Sequence, residues 1–187
     1  MRDEELKEIT LTRNVVYTGP IFSLEKREVE LPNGALAGRE VVMHPGAVCV
    51  IPVTDDGEVI LVKQWRTGYD GITLEIPAGK LDSKTEEPLL AAQRELREET
   101  GAVAERWTNM GVFYGSPAIL HEPIYMYLAE GLTFGETDPD PDEFVETIRL
   151  PLERAVEMVM NGEIPDGKTQ CGVLRAYLQN NLAKSEE

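Results

Sequence analysis

Three glutamates, Glu95, Glu98 and Glu99, lie close together near the end of the segment Gly79–Ala102, and Arg94 directly precedes the first. A helix turns about 100° per residue, so positions i, i+3 and i+4 share one face within a single turn. Like charges at that spacing destabilise a helix by a few tenths of a kcal/mol. Gly101 stops the same periodic run, which puts the charges at the C-terminal end, where the helix dipole disfavours anions. A divalent cation relieves both penalties, because hard ions such as Mg2+ and Mn2+ take several carboxylate oxygens. A solvated acidic face, with Arg94 and Arg97 as partial partners, is the competing interpretation of these residues taken alone.

The glutamates need elements to hold them. From Pro88 to Thr100 the apolar positions follow helical spacing, and Leu89, Ala92 and Leu96 form a stripe able to pack on a sheet. Upstream, "NVVYTGPIFSLEKREVELPNGALAGREVVM" reads as three strands with a hairpin at Pro32–Gly34. "AVCVIPV", "TDDGE" and "VILVKQW" read as strand, Asp-Gly turn and strand, and "TLEIP" as a short strand into Pro77. Strands return at "WTNMGVFYG", "PIYMYLAEG" and "FVETIRL". The end is helical, through "PLERAVEMVMNG" and then "KTQCGVLRAYLQNNLAKSEE". This order predicts an α+β domain of mixed sheets. Residues 1–45 form a separable antiparallel strand subdomain or a dimerisation arm, and residues 46–187 the main domain.

Composition narrows the class. A chain of 187 residues suits one domain with a sizeable core. Its formal net charge of −16 disfavours nucleic acid and anionic membrane as partners, while bound cations still permit an anionic substrate. Two isolated cysteines, Cys49 and Cys171, fit a reducing compartment better than a disulfide scaffold. "MRDEELKEIT" is too polar for a signal peptide, and no run reaches the roughly 18 apolar residues of a membrane span. The expectation is a soluble, cytoplasmic protein.

The residues around the glutamates resemble the Nudix box. Gly79, Glu86, Arg94, Glu95, Leu96, Glu98, Glu99, Gly101 and Ala102 follow its order, with one departure. Six residues rather than five separate Gly79 from Glu86, and the extra one falls in "LDSKT", where a loop absorbs it. Beyond the box, "GREVVMHPGA", "GAVCVIPVTDDGEVILVKQWR", "LEIPAGKLD", "PDEFVE" and "DGKT" look like the ADP-ribose pyrophosphatase branch of the Nudix hydrolases. The resemblance implies the Nudix fold, with mixed sheets sandwiched by helices and an N-terminal antiparallel strand subdomain.

It also implies roles. Glu95, Glu98 and Glu99, with the main-chain carbonyl of Ala78, are the expected ligands of Mg2+ or Mn2+, more than one ion per site. Glu86 and Arg94 are expected to pair and brace the loop and helix. Arg39 and Arg66 are expected to grip a diphosphate, since guanidinium forks suit phosphate oxygens. Glu75 is a further contact to substrate or metal, with a structural strand-end carboxylate as its alternative. Ile21 or Phe22 would pack on adenine, or else belong to the core. Glu143, in the acidic stretch "TDPDPDEFVET", is the expected general base, with Asp140 and Asp142 as substitutes, and Glu98 is a second catalytic candidate. The stretch itself has few apolar anchors. Ala118 stands where the branch carries glycine. The N-terminal strands imply a homodimer.

The implied activity is Mg2+-dependent cleavage of ADP-ribose to AMP and ribose 5-phosphate by water. The alternatives are another nucleoside diphosphate sugar or a dinucleotide as substrate, or a non-catalytic Nudix-like ligand sensor. His44 and His121 have no serine or cysteine at a spacing that makes a nucleophile system, so no covalent intermediate is expected.

Overall fold

The computed structural model describes residues 2–83, 85–138, 141 and 143–185, the last three of these by backbone alone. After a 3-10 turn (Asp3–Leu6) come β1 (Ile9–Thr18), β2 (Ser23–Glu30), β3 (Leu36–Met43), β4 (Ala47–Pro52), β5 (Glu58–Arg66), β6 (Gly71–Glu75) and β7 (Ala78–Lys80). Helix α1 (Pro88–Thr100) follows, then β8 (Ala102–Phe113), β9 (Leu120–His121), β10 (Ile124–Phe134) and β11 (Glu146–Pro151). Helices α2 (Leu152–Met160) and α3 (Gly167–Ser185) close the chain. The chain divides into two compact units, residues 1–46 with 114–123, and residues 47–113 with 124–187.

In the first unit β1, β2 and β3 form an antiparallel meander, and β9 adds to β3 in parallel. The β2–β3 hairpin turns at Gly34, whose φ of 81° a residue with a Cβ resists. Leu31 and Ala35 close that turn with a 2.8 Å bond. Val29 is the one hydrophobic residue of this unit that is fully buried among the described residues. Ile9, Leu11, Val15, Val16 and Tyr17 of β1 are all exposed.

The second unit is built around β4. Its side chains alternate between two apolar clusters, Cys49 and Ile51 in one, Val48 and Val50 in the other. The neighbouring β10 does the same, with Met126 and Leu128 on one side and Tyr127 and Ala129 on the other. A strand buried on both faces reads as a continuous apolar run, which is why "AVCVIPV" does not alternate. Helices cover the two faces. Leu152 and Ala155 of α2 and Val173 and Ala176 of α3 pack on the first cluster, and Ala91, Ala92 and Leu96 of α1 on the second. The sheet order is β7-β4-β10-β8, with β4 and β10 parallel, and a second sheet runs β11-β5-β6. The architecture is therefore α+β, with mixed sheets between helices.

Some local expectations shift. The Nudix-box helix spans Pro88–Thr100 with Gly101 beyond it at φ 69°, as its end signals predict. Strand β7 and strand β9 have no signal of their own in the sequence. The strand expected from Phe144 starts at Glu146, and Phe144 is 85% exposed. The first unit takes residues 114–123 as well as the N-terminal strands. Among the described residues no helix is long and apolar enough to cross a membrane.

Candidate active site

Helix α1 is the platform. Its buried residues are Ala91, Ala92, Glu95, Leu96, Glu99 and Thr100, a stripe in steps of four. Two of the three glutamates thus lie inside the packed face, not on a separate acidic one. Glu95 is 7% and Glu99 2% exposed, while Glu98 is half-buried at the rim. Burying a carboxylate costs free energy unless it is paired or bound to a cation, so the solvated-face interpretation does not describe Glu95 and Glu99.

The segment β7 lies against these carboxylates. The Ala78 N–H donates to Glu99 Oε2 at 3.1 Å. A Cβ added to Gly79 would lie 2.0 Å from the Glu95 Cδ, so only glycine leaves room for that carboxylate beside the main chain. Strand β4 holds β7 in place through the Cys49–Ala78 and Val48–Gly79 pairs, and Val50 N–H donates to Pro77 O at 2.9 Å.

The charges are crowded. Burial pushes the Glu95 carboxyl up to about 7 against the pull of Arg94, with Glu143 and Glu98 adding to the push. Burial and then the Glu95 charge push Glu99 up to about 8 against the Ala78 N–H and Arg66. Among the described residues no three acidic, histidine or cysteine side chains converge closely enough to hold an ion as they stand. Arg94 Nη1 donates to Glu95 Oε1 at 2.7 Å and to Glu98 Oε2 at 3.2 Å. The donor types still fit a hard divalent cation. Buried carboxylates with excess negative charge, next to a main-chain segment with space reserved at Gly79, are what such an ion takes.

Arg94 also reaches Glu86 at 3.5 Å and Asp82 at 3.7 Å, which joins the loop before α1 to the helix. Glu86 in turn accepts the Asp82 N–H at 2.6 Å. Burial works against the Arg94 charge, yet its carboxylate partners outweigh it and raise its pKa. Its Nε is buried without a partner among the described residues.

The end of α1 receives the acidic stretch. Gly135 N–H donates to Gly101 O at 2.8 Å, Asp138 N–H to Glu98 O at 3.0 Å, and Thr147 Oγ1 to Glu99 O at 3.3 Å. Both ends of the stretch are thereby tied to the helix that carries the glutamates. Glu143 is exposed, and its charge reaches Glu95 and Glu99. Asp140 and Asp142 lie outside the described residues.

Beside Glu99 stands a second charged group. Arg66, at the end of β5, donates Nε and Nη2 to the two oxygens of Glu75, each at 2.7 Å. Glu75 is 2% exposed and also accepts Lys168 Nζ at 2.5 Å and Thr73 Oγ1 at 2.6 Å. Burial alone would raise the Glu75 carboxyl, but Arg66, Lys168 and Thr73 hold it down at about 2. The hydrogen bond from Arg66 to Glu75 raises the Arg66 pKa, and Glu99 adds to that. Arg66 is left with one edge of its guanidinium, at Nη1, that no described residue takes.

Asp166, Lys168 and Thr169 complete this group; in the sequence they stand only as part of the resemblance, in "DGKT", with no site role. Asp166 accepts Thr169 N–H at 2.9 Å, Thr169 Oγ1 at 2.5 Å and Lys168 Nζ at 3.0 Å, which caps α3. The signal was the aspartate of "DGKT" ahead of a helical pattern.

Arg39 and Ile21 belong to the first unit. Arg39, on β3, pairs with Glu8 through Nε and Nη2 and reaches Gly38 O with Nη1. It lines a groove of about 870 Å3 with Lys26 and Arg27, and these two pair with Glu40 and Glu25. Ile21 is 57% exposed, and Phe22 packs on Tyr17 with ring centroids 5.4 Å apart. His44 Nδ1 accepts the Gly46 N–H at 3.2 Å and lies 3.4 Å from Glu122, a structural setting.

The NUDIX domain model matches residues 43–169, and the chain belongs to the Nudix family. It is 43% identical over 178 residues to the ADP-ribose pyrophosphatase of Bacillus subtilis (strain 168), covering 94% of this chain and 95% of that one. It is 39% identical to the methanol dehydrogenase activator of Bacillus methanolicus, covering 94% and 96%. The crystal structure of an ADP compounds hydrolase matches with a TM-score of 0.78 over 94% of this chain and 96% of that one. At 22% identity, that match speaks for the fold alone.

Proposed function

We propose that this Nudix pyrophosphohydrolase cleaves ADP-ribose to AMP and ribose 5-phosphate. Water adds to one phosphorus, and the bond from that phosphorus to the bridging oxygen breaks. The observation that carries the reading is the pair Glu95 and Glu99, both buried against the glycine-opened segment Ala78–Gly79. The similarity to the Bacillus subtilis ADP-ribose pyrophosphatase supports the substrate.

Glu95, Glu98, Glu99 and the carbonyl of Ala78 would hold Mg2+ or Mn2+, more than one ion per site. When bound, such ions neutralise a diphosphate and lower the pKa of a coordinated water. The open edge of Arg66 orients the diphosphate, because its other edge is committed to Glu75. Glu75 then acts on substrate through Arg66. Glu143 takes the proton of the attacking water, and Glu98, at the rim, is the second catalytic candidate. Arg39 and Ile21 are proposed as substrate contacts on resemblance alone.

Two further proposals accompany this one. The exposed apolar residues of β1 support a homodimer, which light scattering at micromolar concentration tests; a monomeric mass rejects it. The two free cysteines, Cys49 and Cys171, support a cytoplasmic location.

A substrate panel at matched concentration, with and without Mg2+, tests the activity. AMP release from ADP-ribose that requires the metal is the expected result. Preference for another nucleoside diphosphate sugar or a dinucleotide moves the substrate and keeps the chemistry. The alternative from another class is a non-catalytic ligand sensor. Binding without turnover across the panel would support that one.

A further inference from the structure

The segment 76–78 has two amide N–H groups, because Pro77 has none, and side chains from two different helices take both. Ile76 N–H donates to Thr169 Oγ1 of α3 at 2.9 Å, and Ala78 N–H donates to Glu99 of α1. Thr169 is 0% exposed, and its hydroxyl donates a hydrogen bond to Asp166 Oδ2. One hydroxyl therefore joins the start of α3 to the strand end that lies over the candidate metal ligands.

Two other contacts act at the same turn. Lys168 donates to Glu75, the carboxylate that forks Arg66, and Asp166 accepts from both Lys168 and Thr169. Gly172, one turn further along α3, lets the helix press onto the strands. A Cβ there would lie 2.8 Å from Ile51 Cγ1 and 3.1 Å from Ile76 Cδ1. The helix thus lies closer to Ile51 and Ile76 than a side chain at position 172 would allow.

We infer that the first turn of α3 is the positioning element of this site, in two arms. Thr169, through the Ile76 N–H, sets where Ala78 and Gly79 meet Glu99 and Glu95. Lys168, through Glu75, sets the orientation of the Arg66 fork. Asp166 couples the arms. Each of the three acts through another residue, by hydrogen bonds to Ile76, to Glu75 and to one another. The inference rests on the hydrolase reading for its purpose, but the two arms are measured without turnover.

The test uses the full chain with Thr169→Val, Thr169→Ser, Lys168→Met and Lys168→Arg. Calorimetric titration with Mn2+ alone reads the first arm. Thr169→Val should weaken Mn2+ binding roughly 10–100-fold, as loss of a residue supporting metal ligands does. Thr169→Ser keeps both hydroxyl bonds and should bind like the parent, as should Lys168→Met. The Arg66 Nε–H resonance reads the second arm. Its slow exchange with water should be lost in Lys168→Met and kept in Lys168→Arg and Thr169→Val. With ADP-ribose, Lys168→Met should raise KM more than it lowers kcat.

Unchanged Mn2+ affinity in folded Thr169→Val, or an unchanged Arg66 resonance in folded Lys168→Met, overturns the proposal. If either variant fails to fold, Asp166→Asn decides, since it must shift both readouts in a folded protein. If the parent does not hydrolyse ADP-ribose, the functional reading fails alone, and the Mn2+ and resonance measurements still judge the positioning.

Discussion

The side chain of Glu95 occupies the space that a side chain at Gly79 would need: a Cβ there would meet the Glu95 carboxylate at 2.0–2.3 Å. The relation is one of volume, since Gly79 is not among the residues with positive φ. Gly79→Ala should displace Glu95, weaken Mn2+ binding and destabilise the protein by about 1–3 kcal/mol, as overpacking does. Adding Glu95→Ala should recover stability but neither binding nor activity, which thermal melts and Mn2+ calorimetry on the pair will read.

Glu99→Gln should separate stability from function. Burial, and after it the charge of neighbouring Glu95, pushes the Glu99 carboxyl up. Replacing it with a neutral amide should leave the metal-free protein as stable as the parent or more so, while turnover falls sharply. Melts in chelator and rates at saturating Mg2+ measure the two. Full activity would remove Glu99 from the site.

Glu75 should govern acid stability. Its carboxyl is held at about 2, below the ordinary 4.5. The folded state therefore binds this proton less readily than the unfolded chain. The stabilisation is fully present above about 4.5 and is lost as pH falls through about 2. Glu75→Gln should flatten the stability profile in that window. At neutral pH it should cost somewhat less than the roughly 3–5 kcal/mol of breaking a fully buried pair, because Arg66 is 42% exposed. Urea melts from pH 2 to 7 give both quantities.

Glu143→Gln should retain Mn2+ affinity and cut the single-turnover rate by roughly 10²–10⁴-fold, the loss expected for a general base. If Glu143 is instead a ligand, Mg2+ affinity falls and excess metal restores the rate. If the base is Asp140 or Asp142, Glu143→Gln stays active and the matching Asp→Asn change does not. A Mg2+ titration of single-turnover rates for the three variants separates these outcomes.

Much of the site is local and legible. Pro88 at the first turn and Gly101 past the last set the ends of α1 through short-range sterics, so the helix could be read to the residue. The spacing of Glu95, Glu98 and Glu99 follows from helical geometry, and the pairing of Glu86 with Arg94 from the box. What only the tertiary structure decided is which of these charges lose their water. Glu95 and Glu99 are buried while Glu98 is not, because β7 settles on one side of the helix, and β7 has three residues and no pattern of its own. Glu75 meets Lys168 and Ile76 meets Thr169 across 93 positions of chain. No local period carries such a contact. It exists because α3 packs through Gly172 onto the strands that deliver the site, and that close approach is a property of the assembled core.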